Sequence, residues 1–176
     1  FRTKNYLREN RIQYEIGDFN QQRYLGMAQL VDNANTSAYI ATEYLTFDGA
    51  FDSPQNFDRI NLFGKMNYTS DNGDRFNVSV SHFDSKWDAS GQIPQRAVDS
   101  GLIGRFGAID DTEGGETSRT SVVANYYKDI SDKETIHANI FYSHYDFLLF
   151  SNFTFFLEDP INGDQIRQQE SRDLLG

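Results

Sequence analysis

In residues 58–68 the apolar positions Ile60, Leu62, Gly64, Met66 and Tyr68 alternate with Arg59, Asn61, Phe63, Lys65 and Asn67. A period of two gives a β-strand one apolar and one mostly polar face, and a helix would scatter the same residues around its axis. The pattern restarts after Asn72 and Gly73, a pair suited to the positive φ angles of a tight hairpin. Phe76, Val78, Val80 and His82 there alternate with Asn77, Ser79 and Ser81. Two one-sided strands joined by so short a turn predict an antiparallel, all-β fold.

The same unit recurs on both sides. Upstream, "RYLGMAQL", the turn "DNANT" and "AYIATEYLTF" read as one hairpin, "DGAFDSPQNFD" as the longer connection after it, and residues 11–16 as a further strand. Downstream, a strand at residues 120–128 passes through the polar turn "KDISDK" into one where Ile136, Ala138, Ile140 and Tyr142 face away from His137, Asn139, Phe141 and Ser143. Short turns therefore alternate with long loops, as in an up-and-down wall, and outer-membrane barrels show this asymmetry between their two ends. Aromatic residues near the long-loop ends, Phe83, Trp87, Tyr142, Tyr145 and Phe147, read as a membrane-interface girdle. The tetrads "SHFD" (residues 81–84) and "SHYD" (residues 143–146) predict two strands meeting one environment at one height.

Composition narrows the class. Aromatic residues make up 15% of the chain, yet mean hydropathy is −0.63 and 24% of residues are charged, which suits strands with rings on one side and polar groups on the other. A net charge of −10 without any cluster of Lys and Arg argues against nucleic acid as a partner. There is no cysteine, so disulfide, thiolate and zinc-finger chemistry are excluded. The most apolar run, "FLLFSNFTFFL", is broken by Ser151, Asn152 and Thr154, so no transmembrane helix is expected; barrel strands need only ~9–11 residues each.

Residues 87–119 form the longest stretch of loop chemistry and hold six of the thirteen glycines. Compact domains seldom keep more than about 12–15 irregular residues unless these have a function, so this loop is expected to be ordered and to contact a solute. Trp87, Gln92, Arg96 and Arg105 are the candidate ligand-binding residues, offering a ring face and hydrogen-bond donors. Alternatively, Arg96, Arg105, Asp110, Glu113 and Arg119 pair with one another and simply hold the loop folded. His82, His137, His144, Asp84 and Asp146 suit a transition metal by type, but their spacing converges nowhere, so no metal or other cofactor is expected. "EDPINGDQ" resembles a calcium loop only superficially, lacking the EF-hand spacing and the closing Glu, and reads as an Asx-stabilised turn. No G-x-S-x-G or H-E-x-x-H motif occurs, and no catalytic residue is assigned: the chain is not read as an enzyme.

The loop "WDASGQIPQRAVDSGLIGRFGAIDDTEGGETSR", with "EYLTFDGAFDSPQNFDRINLFGK" before it and "FSNFTFFLEDPINGDQIRQQESR" after it, resembles the barrel region of TonB-dependent outer-membrane receptors, from about Ala38 onward. The resemblance implies a plugged barrel of about 22 strands, of which residues 1–176 supply roughly six or seven as a partial barrel domain. The plug and the energy-coupling box are not in this sequence. It further implies active import of a scarce solute, a small molecule or metal chelate such as a ferric siderophore. The wall would contact lipid of the bacterial outer membrane, and the TonB complex would act through the missing N-terminal region. The competing reading is a secreted, soluble, β-rich carbohydrate-binding module with Trp87 and several Tyr stacked on sugar rings.

Overall fold

The computed structural model describes residues 3–152, 158 and 164–176. They form one sheet of eight strands: β1 (Arg11–Ile16), β2 (Gln22–Asp32), β3 (Thr36–Phe47), β4 (Phe57–Thr69), β5 (Arg75–Asp88), β6 (Gly114–Ser131), β7 (Glu134–Asn152) and β8 (Gln165–Leu175). Each strand pairs antiparallel with the next in sequence order, and the sheet is not closed: among the described residues β1 and β8 each pair on one side only. Residues 33–35, 70–74 and 132–133 connect strands at one end, and residues 17–21, 48–56, 89–113 and 153–164 at the other. The expected asymmetry of short turns and longer loops is thus present. Asn72 and Gly73 lie in the β4–β5 turn, where Gly73 takes φ +84°.

Eight strands replace the expected six or seven. The added one is β8, whose sequence "QIRQQESRDLL" carries almost no alternation, because Ile166 and Leu174 share a face with Gln168, Glu170 and Arg172. Its strand state comes from pairing with β7 rather than from an apolar stripe. Likewise residues 87–119 are not all loop. Ladder pairs such as Lys86 with Glu116 and Trp87 with Gly115 carry β5 and β6 into the glycine-rich stretch, leaving residues 89–113 as the loop, with a short helix α1 (Gln95–Asp99) inside it.

The register sorts side chains onto two unlike faces. One carries Ile12, Tyr14, Tyr24, Ile40, Tyr44, Ile60, Leu62, Met66, Tyr68, Phe76, Val78, Val80, Val122, Tyr126, Ile136, Ile140 and Tyr142. Nearly all are exposed, from 94% for Ile12 through 63% for Ile140 to 36% for Tyr68 and Val122. The opposite face carries Arg23, Glu43, Arg59, Asn61, Lys65, Asn67, Asn77, Ser79, Arg119, Asn125 and Asn139. Its members include the buried strand residues Tyr39 at 6% and Lys65 at 8%. Few side chains of the described residues are buried: most apolar residues of the first face are exposed, and the buried strand positions on the other include Lys65 and Ser85 as well as Tyr39.

Ring rows edge the apolar face. Tyr14, Tyr24 and Tyr44 stand side by side across β1–β3, with centroids 4.7 and 6.4 Å apart, and Tyr68, Phe76 and Tyr126 do so across β4–β6 at 6.2 and 4.7 Å. From Ile60 to Tyr68 the band spans about 26 Å along the strand, at ~3.3 Å per residue. These rows replace the expected girdle: Phe83, Trp87, Tyr145 and Phe147 have the opposite parity and lie on the polar face, and only Tyr142 joins the apolar one.

Candidate functional site

Charge on the polar face is organised around Glu43. One of its carboxylate oxygens accepts from Arg23 Nε at 2.8 Å and the other from Arg59 at 2.7 Å and Asn61 at 3.3 Å, while Arg23 also reaches Glu15 at 3.0 Å. Four strands are tied by this chain of pairs, and Arg59 Nε is buried without a partner among the described residues. Toward the short turns an amide ladder follows: Asn67 accepts from Asn77, Asn77 from Asn125 at 3.5 Å, and Asn125 from Asn139 at 2.9 Å. A strap, residues 3–10, lies over this face. Lys65 Nζ donates to Thr3 Oγ1 at 3.0 Å and Asn5 Oδ1 at 3.1 Å, Asn67 to the Asn5 carbonyl at 2.6 Å, and Tyr39 to the Lys4 carbonyl at 3.1 Å. The strap explains why Tyr39 and Lys65 are buried.

The long-loop end is knitted by backbone bonds. Asp48 N donates to the Phe19 carbonyl, Asp88 N to that of Gln55, and Asp52 N to that of Phe106, joining three loops. Glu113, 6% exposed, accepts the Asn152 amide at the end of β7, and Asp110 accepts from Asn152 Nδ2 at 3.2 Å and from Thr112. Burial pushes the Glu113 carboxyl above the ordinary range and neighbouring Asp110 adds to this, against the Asn152 amide bond. Burial also opposes ionisation of Asp110, but the bonds from Thr112 and Asn152 outweigh it and hold that carboxyl low.

Of the sequence candidates, Trp87 ends β5 on the polar face, its ring so close over Gly115 that a Cβ there would stand 2.8 Å from it. Gln92 sits at the loop base beside Ser90, Asp110 and Glu113, Arg96 is in α1, and Arg105 is exposed farther along. The small cavity beside Gln92 is lined by Ser90, Ile109, Asp110, Glu113 and Asn152, and Trp87, Arg96 and Arg105 do not line it. The alternative, mutual pairing of the loop charges, is not seen either: none of the ion pairs of the described residues joins Arg96, Arg105, Asp110, Glu113 and Arg119.

The tetrads "SHFD" and "SHYD" do share a height. Ser81 and Ser143 both pair with Ser121, and His82 and His144 both with Thr120. His82 bonds Thr120 at 2.9 Å, and His144 lies between Asp146 and Asp173 at 2.8 Å each, whereas His137 is on the other face, stacked on Tyr127. Among the described residues no three His, Asp or Glu are placed to hold a metal ion. The turn expected at "EDPINGDQ" lies mostly outside the described residues, and no helix of the described residues is long and apolar enough to cross a membrane.

Sequence reasoning missed the Glu43 centre, and named Arg119 only as an ion-pair partner within the loop. Arg119 of β6 stands on the polar face over the Tyr145 ring of β7, with Cζ 4.8 Å from the centroid. The signal was available in the strand parity, which puts Arg23, Glu43 and Arg59 on one side, but the register linking distant strands was needed to bring them together. Searches of family models, of curated proteins and of solved structures each found nothing that matches this chain.

Proposed function

We propose that the chain is part of the wall of a bacterial outer-membrane active transporter of the TonB-dependent kind, which binds a scarce solute such as a ferric siderophore and imports it. The observation that carries the membrane part of this reading is the outward-facing apolar band with ring rows at its edges. Water would penalise so large an exposed apolar surface, and lipid would not.

The slant of that band supports the same reading. On β1 it centres on Tyr14, in the row of Tyr24, Tyr44 and Ile60; on β7 it centres between Ala138 and Ile140, in the rows of Tyr68 and Met66. The centre thus slides from row 60 to between rows 66 and 68 across six strand steps, about one residue per strand. A slide of ~3.3 Å per ~4.8 Å strand spacing corresponds to strands tilted by about 35° from the normal of a flat apolar layer, close to the ~35–45° of transmembrane barrels. A sandwich core has no need of such a slant.

The polar face, with its Glu43 centre, amide ladder and covering strap, would line the interior, and the interlocked loops would face outward to receive solute. TonB would act through a region not contained in these residues. Trp87, Gln92, Arg96 and Arg105 remain the loop groups assigned to solute contact.

Spin labels at residues 66, 78 and 140 of the membrane-embedded protein should be relaxed by oxygen dissolved in lipid, and labels at residues 61, 79 and 139 by a water-soluble nickel chelate. The reverse pattern would defeat the membrane reading. Uptake of radiolabelled ferric siderophores, cobalamin and oligosaccharides by cells with and without the protein tests transport, and equal uptake of every probe would defeat that part.

A further inference from the structure

We infer that Arg119 and the rings beside it form a site for an aryl carboxylate on the polar face. The inference rests on the solute-transport reading and adds the chemistry of what that face holds.

Three observations converge. First, Arg119 forms no ion pair with a described carboxylate, unlike Arg23, Arg59, Arg75 and Arg172, which pair with Glu43, Glu43, Asp129 and Glu170. Second, its guanidinium carbon stands 4.8 Å from the centroid of the Tyr145 ring on an exposed side chain, and no hydrogen bond of the described residues uses its N–H groups. Third, rings stand on both sides of Arg119 in the same row, Phe83 on β5 and Tyr145 on β7, and Phe147 stacks on Tyr145 at 6.4 Å and 14°. One row toward the short turns, the bonded hydroxyls of Ser121 and Ser143 supply polar groups on the same face.

A planar fork with two parallel donors takes a carboxylate bidentately, and the single charge of Arg119 matches that of a carboxylate, whereas a phosphate monoester carries nearly twice as much. The neighbouring rings favour a flat apolar body attached to that carboxylate. The strap contacts Tyr39, Lys65 and Asn67, and none of its hydrogen bonds reaches this row on β5–β7. The site is therefore open on the face where solute would pass, although the chain as a whole carries net charge −10.

The test uses the protein as cells make it, purified in detergent, with benzoate as probe and saturation-transfer NMR as readout; phenyl phosphate and cyclohexanecarboxylate are the comparison arms. Benzoate is expected to bind, and Arg119→Gln and Arg119→Lys each to weaken it at least tenfold, while Arg11→Gln, at an exposed arginine near the sheet edge, leaves it unchanged. Circular dichroism and heat-shifted gel mobility show that the variants are folded. Undiminished binding in folded Arg119→Gln, or equal weakening by Arg11→Gln, would overturn the assignment. Phenyl phosphate binding more tightly than benzoate would overturn the carboxylate preference, and equal binding of cyclohexanecarboxylate would overturn the role of the rings. All these readouts are independent of lipid contact, so they fail separately from the spin-label test.

Discussion

Glu43 of β3 accepts a hydrogen bond from Arg59 of the next strand at 2.7 Å with one carboxylate oxygen, and with the other it takes Arg23 from the strand on the opposite side. The Glu43 side chain is only 17% exposed, so this one carboxylate neutralises two cations in a partly desolvated place. Its removal leaves two guanidinium groups facing each other. Glu43→Gln is expected to destabilise the protein by about 2–3 kcal/mol, because an uncompensated partly buried charge costs more than a surface pair yields. Glu15→Gln, which frees only one contact of Arg23 at a 40% exposed carboxylate, should cost under about 1 kcal/mol. Urea titrations in lipid vesicles would show this order; equal midpoints would mean that Glu43 is not the hub of the wall.

Adjacent residues on β7 separate the two faces most sharply. Ile140 is 63% exposed on the apolar face, and Asn139 bonds Asn125 on the other. If the apolar face meets lipid as proposed, Ile140→Arg is expected to cost about 2–4 kcal/mol in a bilayer, and Asn139→Arg less than half of that. Reversible folding into bilayers measures both. If Asn139→Arg proved the worse of the two, the faces would be assigned the wrong way round.

Loop closure should respond to pH through Glu113 and Asp110 with opposite signs. The folded value of Glu113 is raised above 4.5, so its contribution is full below 4.5 and is lost as pH rises through the raised value. That of Asp110 is lowered below 3.8, so its contribution is present above 3.8 and is lost as pH falls through the lowered value. Protection of the Asn152 amide from exchange, corrected for intrinsic rate, should therefore peak near pH 4 and decline on both sides. Glu113→Gln keeps an oxygen to accept that amide and should abolish the high-pH decline. A decline that persists unchanged in Glu113→Gln would assign it to some other group.

How much of this was legible in the sequence follows from what each feature depends on. Residues 58–82 showed their alternation directly, since a one-sided strand writes its faces into a period of two, and the Asn72-Gly73 turn fixed the hairpin. β8 was invisible because pairing with β7 alone makes it a strand. The ends of β5 and β6 were hidden by the glycines of residues 114–115, which read as loop although Trp87 packs over Gly115. The ring rows were misplaced for another reason: Phe83 and Tyr145 lie near the right height but one residue out of phase, and in a strand one residue is the whole difference between faces. Arg119 needed Tyr145, 26 positions away, and only the β6–β7 register supplies that neighbour.

Gly64 and Gly73 make a controlled pair. At both positions a Cβ would meet nothing within 4 Å, so neither substitution creates a clash. They differ in backbone: Gly73 sits in the β4–β5 turn at φ +84°, a region L side chains rarely adopt, whereas Gly64 is mid-strand on the apolar face between Leu62 and Met66, without positive φ. Gly73→Ala should therefore destabilise by about 1 kcal/mol through backbone strain alone. Gly64→Ala should stabilise by about 0.4–1 kcal/mol, because it restricts the unfolded chain and adds a methyl group to the exposed apolar band. The second sign depends on what surrounds that band: in lipid the methyl is welcome, and against water it adds to an apolar surface already too large. Both variants can be followed by the same urea titration in vesicles. A destabilising Gly64→Ala in a bilayer would argue that this stretch of β4 does not face lipid.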